Sequence, residues 1–198
     1  MFAITERLLL RPCWPEDAEI LYRAIADECI VRNLATVPWP YAREDAREFA
    51  ALEHSELFPT SSLWLRTGST PVLVGACGLA ECDGEAELGY WIARAHWERG
   101  YATEAARAMV AAGRAIGHRR IVSGHFIDNP ASGRVLRKAG FRSTGKIELR
   151  ASRSRGANVP CALFELECDV AQDGAVGPVM ASRRNGDGRM QASDLRAA

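Results

Sequence analysis

The sequence predicts an α/β fold in which a mixed sheet is covered by helices. Strand-like and helix-like runs alternate along the chain. Asp83-Gly84 separates two strand-like runs, the signal of a tight antiparallel hairpin. Ala105, Ala106, Met109, Val110 and Ile116 recur at helical spacing between Thr103 and Ile116, with Glu104, Arg107 and Arg114 off that stripe. A chain of 198 residues suits one core, and 47% hydrophobic residues suffice to fill it.

Taken in order, Thr5 to Arg11 reads as a first strand. Trp14-Pro15-Glu16-Asp17 opens a helix, with acidic residues at its positive end, that runs towards Ala26. Pro38 and Pro40 mark a loop, and the Ala, Glu and Arg between Arg43 and Leu57 predict a second helix that Pro59 ends. Leu63 to Arg66 and Pro71 to Leu79 follow as strands. Beyond the hairpin turn, alternation puts Glu85, Glu87, Gly89 and Trp91 on one face and Ala86, Leu88, Tyr90 and Ile92 on the other. Arg94 to Gly100 is a loop before the amphipathic helix. Ile121 to Ile127 is a short strand, Asn129-Pro130 a helix entry and Gly140 its left-handed stop. Phe141 to Leu149 and Val159 to Cys168 are the last strands. Residues 1–170 are therefore expected to form one domain, and Gly, Ser, Arg and Asp in 171–198 predict a disordered tail.

Composition narrows the function classes. Lys plus Arg equals Asp plus Glu at 25 each, so no net field draws in nucleic acid or an anionic membrane. Met1 to Pro12 mixes Glu6, Arg7 and Arg11 among apolar residues, unlike a signal peptide, and no run reaches membrane-spanning length. Six cysteines without a CxxC pair read as reduced thiols in a cytoplasmic protein, and the histidines form no ligand cluster, so no metal is expected.

The chemistry concentrates in Glu87-Leu-Gly-Tyr-Trp-Ile92 and Trp97-Glu-Arg-Gly100-Tyr-Ala102-Thr-Glu104-Ala, a strand, loop and helix start in succession. The first turn of a helix carries unpaired N–H groups and a positive dipole end, and Gly100 and Ala102 keep side chains from obstructing a phosphate. A pyrophosphate fits this description; a glycine that only shapes a tight loop fits it equally.

Asn129-Pro130-Ala131-Ser132 and Leu136-Arg137-Lys138-Ala139-Gly140-Phe141 follow at the distance that one strand and one helix require. With them the sequence resembles the GNAT acetyltransferases from about Thr5 to Glu167. The phosphate motif of that superfamily, Gln/Arg-x-x-Gly-x-Gly/Ala, is met by Trp97-Glu98-Arg99-Gly100-Tyr101-Ala102, with Trp97 at its first position. Thr5-Glu-Arg-Leu-Leu-Leu-Arg11 and Gly89-Tyr-Trp91 resemble the ribosomal-protein N-terminal acetyltransferase, RimJ/RimL-like, branch.

This resemblance implies a mostly antiparallel central sheet splayed between its fourth and fifth strands, with acetyl-CoA as cosubstrate. It places the backbone of Trp91, Ile92 and Arg94 along the pantetheine, the segment Trp97, Arg99, Gly100, Tyr101, Ala102 and Thr103 at the diphosphate, Asn129 near the pantetheine end and Lys138 at an outer phosphate. Lys138 equally suits the helix dipole. Many members protonate the CoA thiolate with a tyrosine where this chain has Leu136. The resembling branch implies Ser132 for that role, with Tyr101 and Tyr90 as alternatives.

The acceptor amine must lose a proton, and Glu87 is the first candidate base. Glu85, Glu148 and His125 are its rivals. No Cys/His or Ser/His constellation is evident, so the expected reaction is direct attack in a ternary complex on acetyl-CoA by a primary amine, either a protein N-terminus or a small molecule. The alternative is a catalytically silent CoA-binding sensor or interaction module. Monomer and homodimer both stay open.

Overall fold

The computed structural model describes residues 1–53, 55–66 and 70–168. The expected tail over 171–198 lies outside the described residues. Those described form an eight-stranded sheet in the order β1-β2-β3-β4-β5-β6-β8-β7, from β1 (Ala3–Ile4), β2 (Leu8–Arg11), β3 (Thr60–Leu65), β4 (Val72–Cys82), β5 (Glu85–Ile92), β6 (Arg120–Phe126), β7 (Arg142–Ser152) and β8 (Ala157–Glu167). Five helices accompany it: α1 (Ala18–Ile25), α2 (Glu28–Val31), α3 (Arg43–Ala50), α4 (Tyr101–Ile116) and α5 (Pro130–Ala139).

Two cores sit on the two faces. One joins Leu79, Leu88 and Ile92 to Ala106, Met109 and Leu136 of α4 and α5. The other joins Trp64, Leu73 and Trp91 to Leu21, Ile25 and Ala46 of α1 and α3. The period-two reading of β5 therefore assigns its faces correctly.

Every neighbouring pair is antiparallel except β5 with β6, which are parallel and paired only at Ala86 with Ile121 and at Glu87 with Val122. β5 continues to Ile92 and β6 to Phe126 without further pairing, so the sheet opens as a V. The expected first strand is interrupted by a turn in which Thr5 N donates to Leu8 O at 2.9 Å. The splay accordingly falls between the fifth and sixth strands by count.

The second helix ends at Ala50 rather than at Leu57. Its helix-forming composition yields to tertiary contacts further on, where the Leu57 carbonyl lies 2.7 Å from His118 Nε2 and the Phe58 ring packs 5.3 Å from the His118 ring. α4 begins at Tyr101, two residues before Thr103.

At the sheet's first edge, the Arg11 guanidinium lies between the Trp14 and Trp64 rings, at 4.1 and 4.3 Å. It donates to both oxygens of buried Asp17 at 2.6 and 2.8 Å. Burial favours the neutral acid, but hydrogen bonds from Arg11 and the Trp14 amide outweigh it and hold Asp17 below the ordinary carboxyl range. This contact fastens the start of α1 to β2.

Candidate functional site

The V opens into a cleft of about 410 Å³ between β5, the start of α4 and the face of α5, with α2 and the residues after it on the far wall. Along β5, Ala93 N donates to Val74 O at 2.8 Å, and the Trp91 carbonyl stands 2.1 Å from where a Gly75 Cβ would be. Trp91 and Ala93 thus turn their backbone groups to β4. The Leu88 carbonyl instead accepts from Ser123 Oγ at 2.9 Å, and the Ile92 carbonyl from Trp97 Nε1 at 2.7 Å. Leu88, Tyr90 and Ile92 therefore face the opening. Of the backbone positions expected along it, Ile92 is there; Trp91 also lines the cleft, with its carbonyl turned to β4.

At the cleft's end, Gly100 precedes α4 with φ 82°, a left-handed conformation suited to glycine, and no side chain caps the helix. The first intrahelical bond is from Glu104 N to Gly100 O, so the amides of Tyr101, Ala102 and Thr103 have no partner within the helix. A clamp that the sequence reading missed holds this turn. Glu104 accepts from Thr5 Oγ1 at 2.6 Å, from Arg7 N at 2.8 Å and from Arg7 Nε at 2.7 Å. Arg7 also donates to the Arg99 carbonyl at 2.8 Å and covers the Tyr101 ring at 4.7 Å. Burial raises the Glu104 pKa, yet the bonds from Thr5 and Arg7 together with the Arg7 charge bring it below the usual 4.5.

From α5, Asn129 caps the helix, its side chain accepting from Ser132 N at 3.4 Å. The Ser132 hydroxyl meets the Tyr90 hydroxyl at 2.7 Å, and Tyr90 also donates to Ser132 O at 3.2 Å. Burial pushes the Tyr90 phenol well up, which keeps it protonated. Arg134 lines the cleft beside Lys138, one turn apart on α5; their i, i+4 spacing is a sequence signal that went unread. Ile30, Asn33, Leu34 and His96 also line it, and nothing local in the sequence announces them.

The cleft thus brings together Trp91, Ile92, Trp97, Gly100, Tyr101, Ala102, Thr103, Asn129, Ser132 and Lys138. Three expected residues are not part of its lining. Arg94 is an exposed side chain reaching Asp27 at 3.5 Å. Arg99 is exposed, and its carbonyl is engaged by Arg7. Glu87 is fully buried and ion-paired with Arg150, with its Oε2 left without a hydrogen-bond partner. Glu87, the first candidate base, is thus enclosed and ion-paired, apart from the residues that line the cleft.

Glu85 pairs with Arg120 at 2.6 Å. His125 is buried, with Nδ1 2.8 Å from Phe126 O and its ring against Phe164 and the Cα of Gly133, where a Cβ would come within 2.5 Å of Nε2. Glu148 stands exposed on β7, outside the cleft lining.

A family model described as an acetyltransferase (GNAT) domain matches residues 7–142. An uncharacterized N-acetyltransferase of Bacillus subtilis, YoaA, is 33% identical over 159 residues, covering 74% of this chain and 87% of that protein. The uncharacterized N-acetyltransferase p20 of Bacillus licheniformis is 25% identical, covering 82% and 93%. Among solved structures, a GNAT-family acetyltransferase from Bacillus anthracis superposes with a TM-score of 0.73 at 23% identity, over 84% of this chain and 98% of that one. RimL, a ribosomal L7/L12 α-N-protein acetyltransferase solved with coenzyme A, gives 0.70 at 16% identity, over 86% and 100%. The microcin C7 self-immunity acetyltransferase MccE, solved with acetyl-CoA and AMP, gives 0.66 at 19%, over 82% and 93%. These structural likenesses speak for the fold.

Proposed function

Because the chain belongs to the GNAT acetyltransferase family, we propose that its V-shaped cleft binds acetyl-CoA and that the acetyl group passes directly to a primary amine. The observation that carries this reading is the conjunction of first-turn amides at Tyr101, Ala102 and Thr103 that have no partner within the helix with the edge of β5 and the α5 cations Arg134 and Lys138. The residues fit the donor. Oriented amides at a positive helix end suit a diphosphate, Arg134 and Lys138 suit a further phosphate, and the Tyr90 and Ile92 edge suits the amides of an extended arm.

Acetyl-CoA supplies an activated thioester carbonyl. The chain's own residues supply position and proton control. Trp97 holds the Ile92 carbonyl and so fixes the strand end. The Ser132 and Tyr90 hydroxyls form a neutral donor pair on the cleft wall. As the amine nitrogen bonds to the acetyl carbon and the carbon–sulfur bond breaks, the departing sulfur takes a proton from this pair. The attacking nitrogen releases one proton to water and the hydroxyl pair regains one from water, so the balance closes without an enclosed carboxylate base. The acceptor is a primary amine, free or at a protein N-terminus.

Release of free CoA thiol with a panel of amines and N-terminal peptides tests the reading and separates an enzyme from a silent binder. Gly100→Asp, which adds bulk and negative charge at the cradle, is expected to weaken acetyl-CoA binding by tenfold or more in calorimetry. Equal affinity in a folded variant would remove the phosphate cradle.

A further inference from the structure

β7 ends the sheet, paired with β8 on one side and with no strand on the other among the described residues. Its register against β8 is regular from Ile147 to Ser152, and the irregularity falls before Ile147, where Gly145 takes a φ of 74°. Edge strands are commonly blunted by a bulge or a lysine, but here the bulge and Lys146 both stop short of the regular run. Ile147 lies opposite Ala162, which packs on the α4 and α5 core, so alternation puts Ile147, Leu149 and Ala151 on the α5 side of the sheet. Glu148 and Arg150 occupy the other face, where Arg150 reaches Glu87. Ile147 and Leu149 are 63% and 69% exposed. Two large apolar side chains thus stand beside a row of open backbone groups.

We propose that a second copy of this chain covers the edge, β7 pairing antiparallel with β7 of the other copy about a two-fold axis at Leu149. The charges select both the occupant and the register. With Leu149 opposite its own copy, Glu148 of each chain stands opposite Arg150 of the other, and Ile147 opposite Ala151, so two ion pairs and an unbroken apolar row form together. A shift by two residues sets Glu148 against Glu148 in one direction and Arg150 against Arg150 in the other. A slip by one puts Leu149 opposite a charge. Arg150 uses Nη1 for Glu87, which leaves its other donors for the incoming carboxylate. The helices leave room for the approach. α5 lies over β6 and β8, where a Cβ on Gly133 would meet the His125 ring and Arg137 covers the Phe164 ring. With strands about 4.8 Å apart, the two β8 strands would stand about 14 Å from each other, wider than a helix of about 10 Å. The two α5 helices flank the paired edges, and Ile147 and Leu149 of both copies floor the groove between them.

The test is sedimentation equilibrium of the full chain, which should be mostly dimeric at about 50 μM, as a low-micromolar dissociation constant requires. Leu149→Lys sets two ammonium groups face to face at the axis, and Glu148→Arg sets guanidinium against guanidinium. Each should weaken the dimer at least tenfold with an unchanged circular dichroism spectrum, because both side chains are exposed in the single copy. Cysteine pairs read the register directly, with diamide as the oxidant and the parent chain as the control for its own thiols. Leu149→Cys should link two chains, whereas Ile147→Cys, displaced by about 13 Å along the strand from its copy, should not. A parent chain that is monomeric at that concentration overturns the proposal and leaves the edge to another occupant. So does a dimer that neither charge substitution weakens, which would be built on another face, and so does linkage at Ile147→Cys in place of Leu149→Cys.

Discussion

Ser132 and Tyr90 stand on different elements, yet their hydroxyls lie 2.7 Å apart at the wall of the cleft. Neither is a strong acid, and burial holds the phenol protonated, so the pair donates a proton only to a group that gains basicity as the reaction proceeds. A departing sulfur is such a group. Ser132→Ala should therefore lower kcat by about 10²-fold or more, with acetyl-CoA affinity and melting temperature nearly unchanged, in assays where chemistry limits the rate. Undiminished turnover would leave Ser132 a wall residue. The serine itself could be picked out from the Asn-x-x-Ser pattern. Tyr90 was legible only as an alternative donor and not as its partner, because the two meet only where the sheet parts and α5 settles over the gap.

At the scale of elements, α4 is placed by its first turn. Thr5 and Arg7, in the turn between β1 and β2, hold Glu104 and the Arg99 carbonyl, so the loop from Trp97 to Gly100 is secured from the opposite end of the chain. Glu104 titrates lower in the folded chain than in the unfolded one. Its contribution is therefore full above the usual 4.5 and is lost as pH falls through the lower folded value. Glu104→Gln should lower stability by about 1–2 kcal/mol at pH 7. The gap between variant and parent melting curves should close below pH 4.5, and acetyl-CoA affinity should weaken as the turn loosens. A gap independent of pH would mean that the carboxylate's charge is not what matters. The amphipathic stripe revealed α4 and its inner face, whereas the clamp pairs residues 92 or more positions apart and leaves no local trace. The converse happened in α3, where good helix formers beyond Ala50 were overruled by the course the chain takes to β3.

For the molecule as a whole, the sheet consists of two parts, β1 to β5 and β6 with β8 and β7, joined by only two residue pairs at the point of the V. The Glu87–Arg150 ion pair crosses that junction, linking β5 to the outermost strand β7. With Glu87 fully buried and Arg150 mostly so, Glu87→Gln should destabilise the chain by about 3 kcal/mol, since it leaves an uncompensated charge in the interior. Urea melts check this. The pH–rate profile of the fraction that stays folded should be that of the parent, and a lost acidic limb would restore Glu87 as a base. Alternation placed Glu87 on the right face but did not supply its partner, 63 residues away, which encloses the carboxylate in an ion pair.

The parted sheet also bears on how the protein avoids itself. Two strand edges that run side by side without hydrogen bonding are, in most folds, an invitation for another chain to add a strand. Here those edges face each other across the inside of the V, behind α5 on one side and Ile30 and Leu34 on the other, where a second chain has no straight approach. On the β5 side two of the carbonyls that turn into the gap are already engaged, Leu88 by Ser123 and Ile92 by Trp97. On the proposed reading the same edges would take the extended arm of acetyl-CoA where another fold would hold a neighbouring strand.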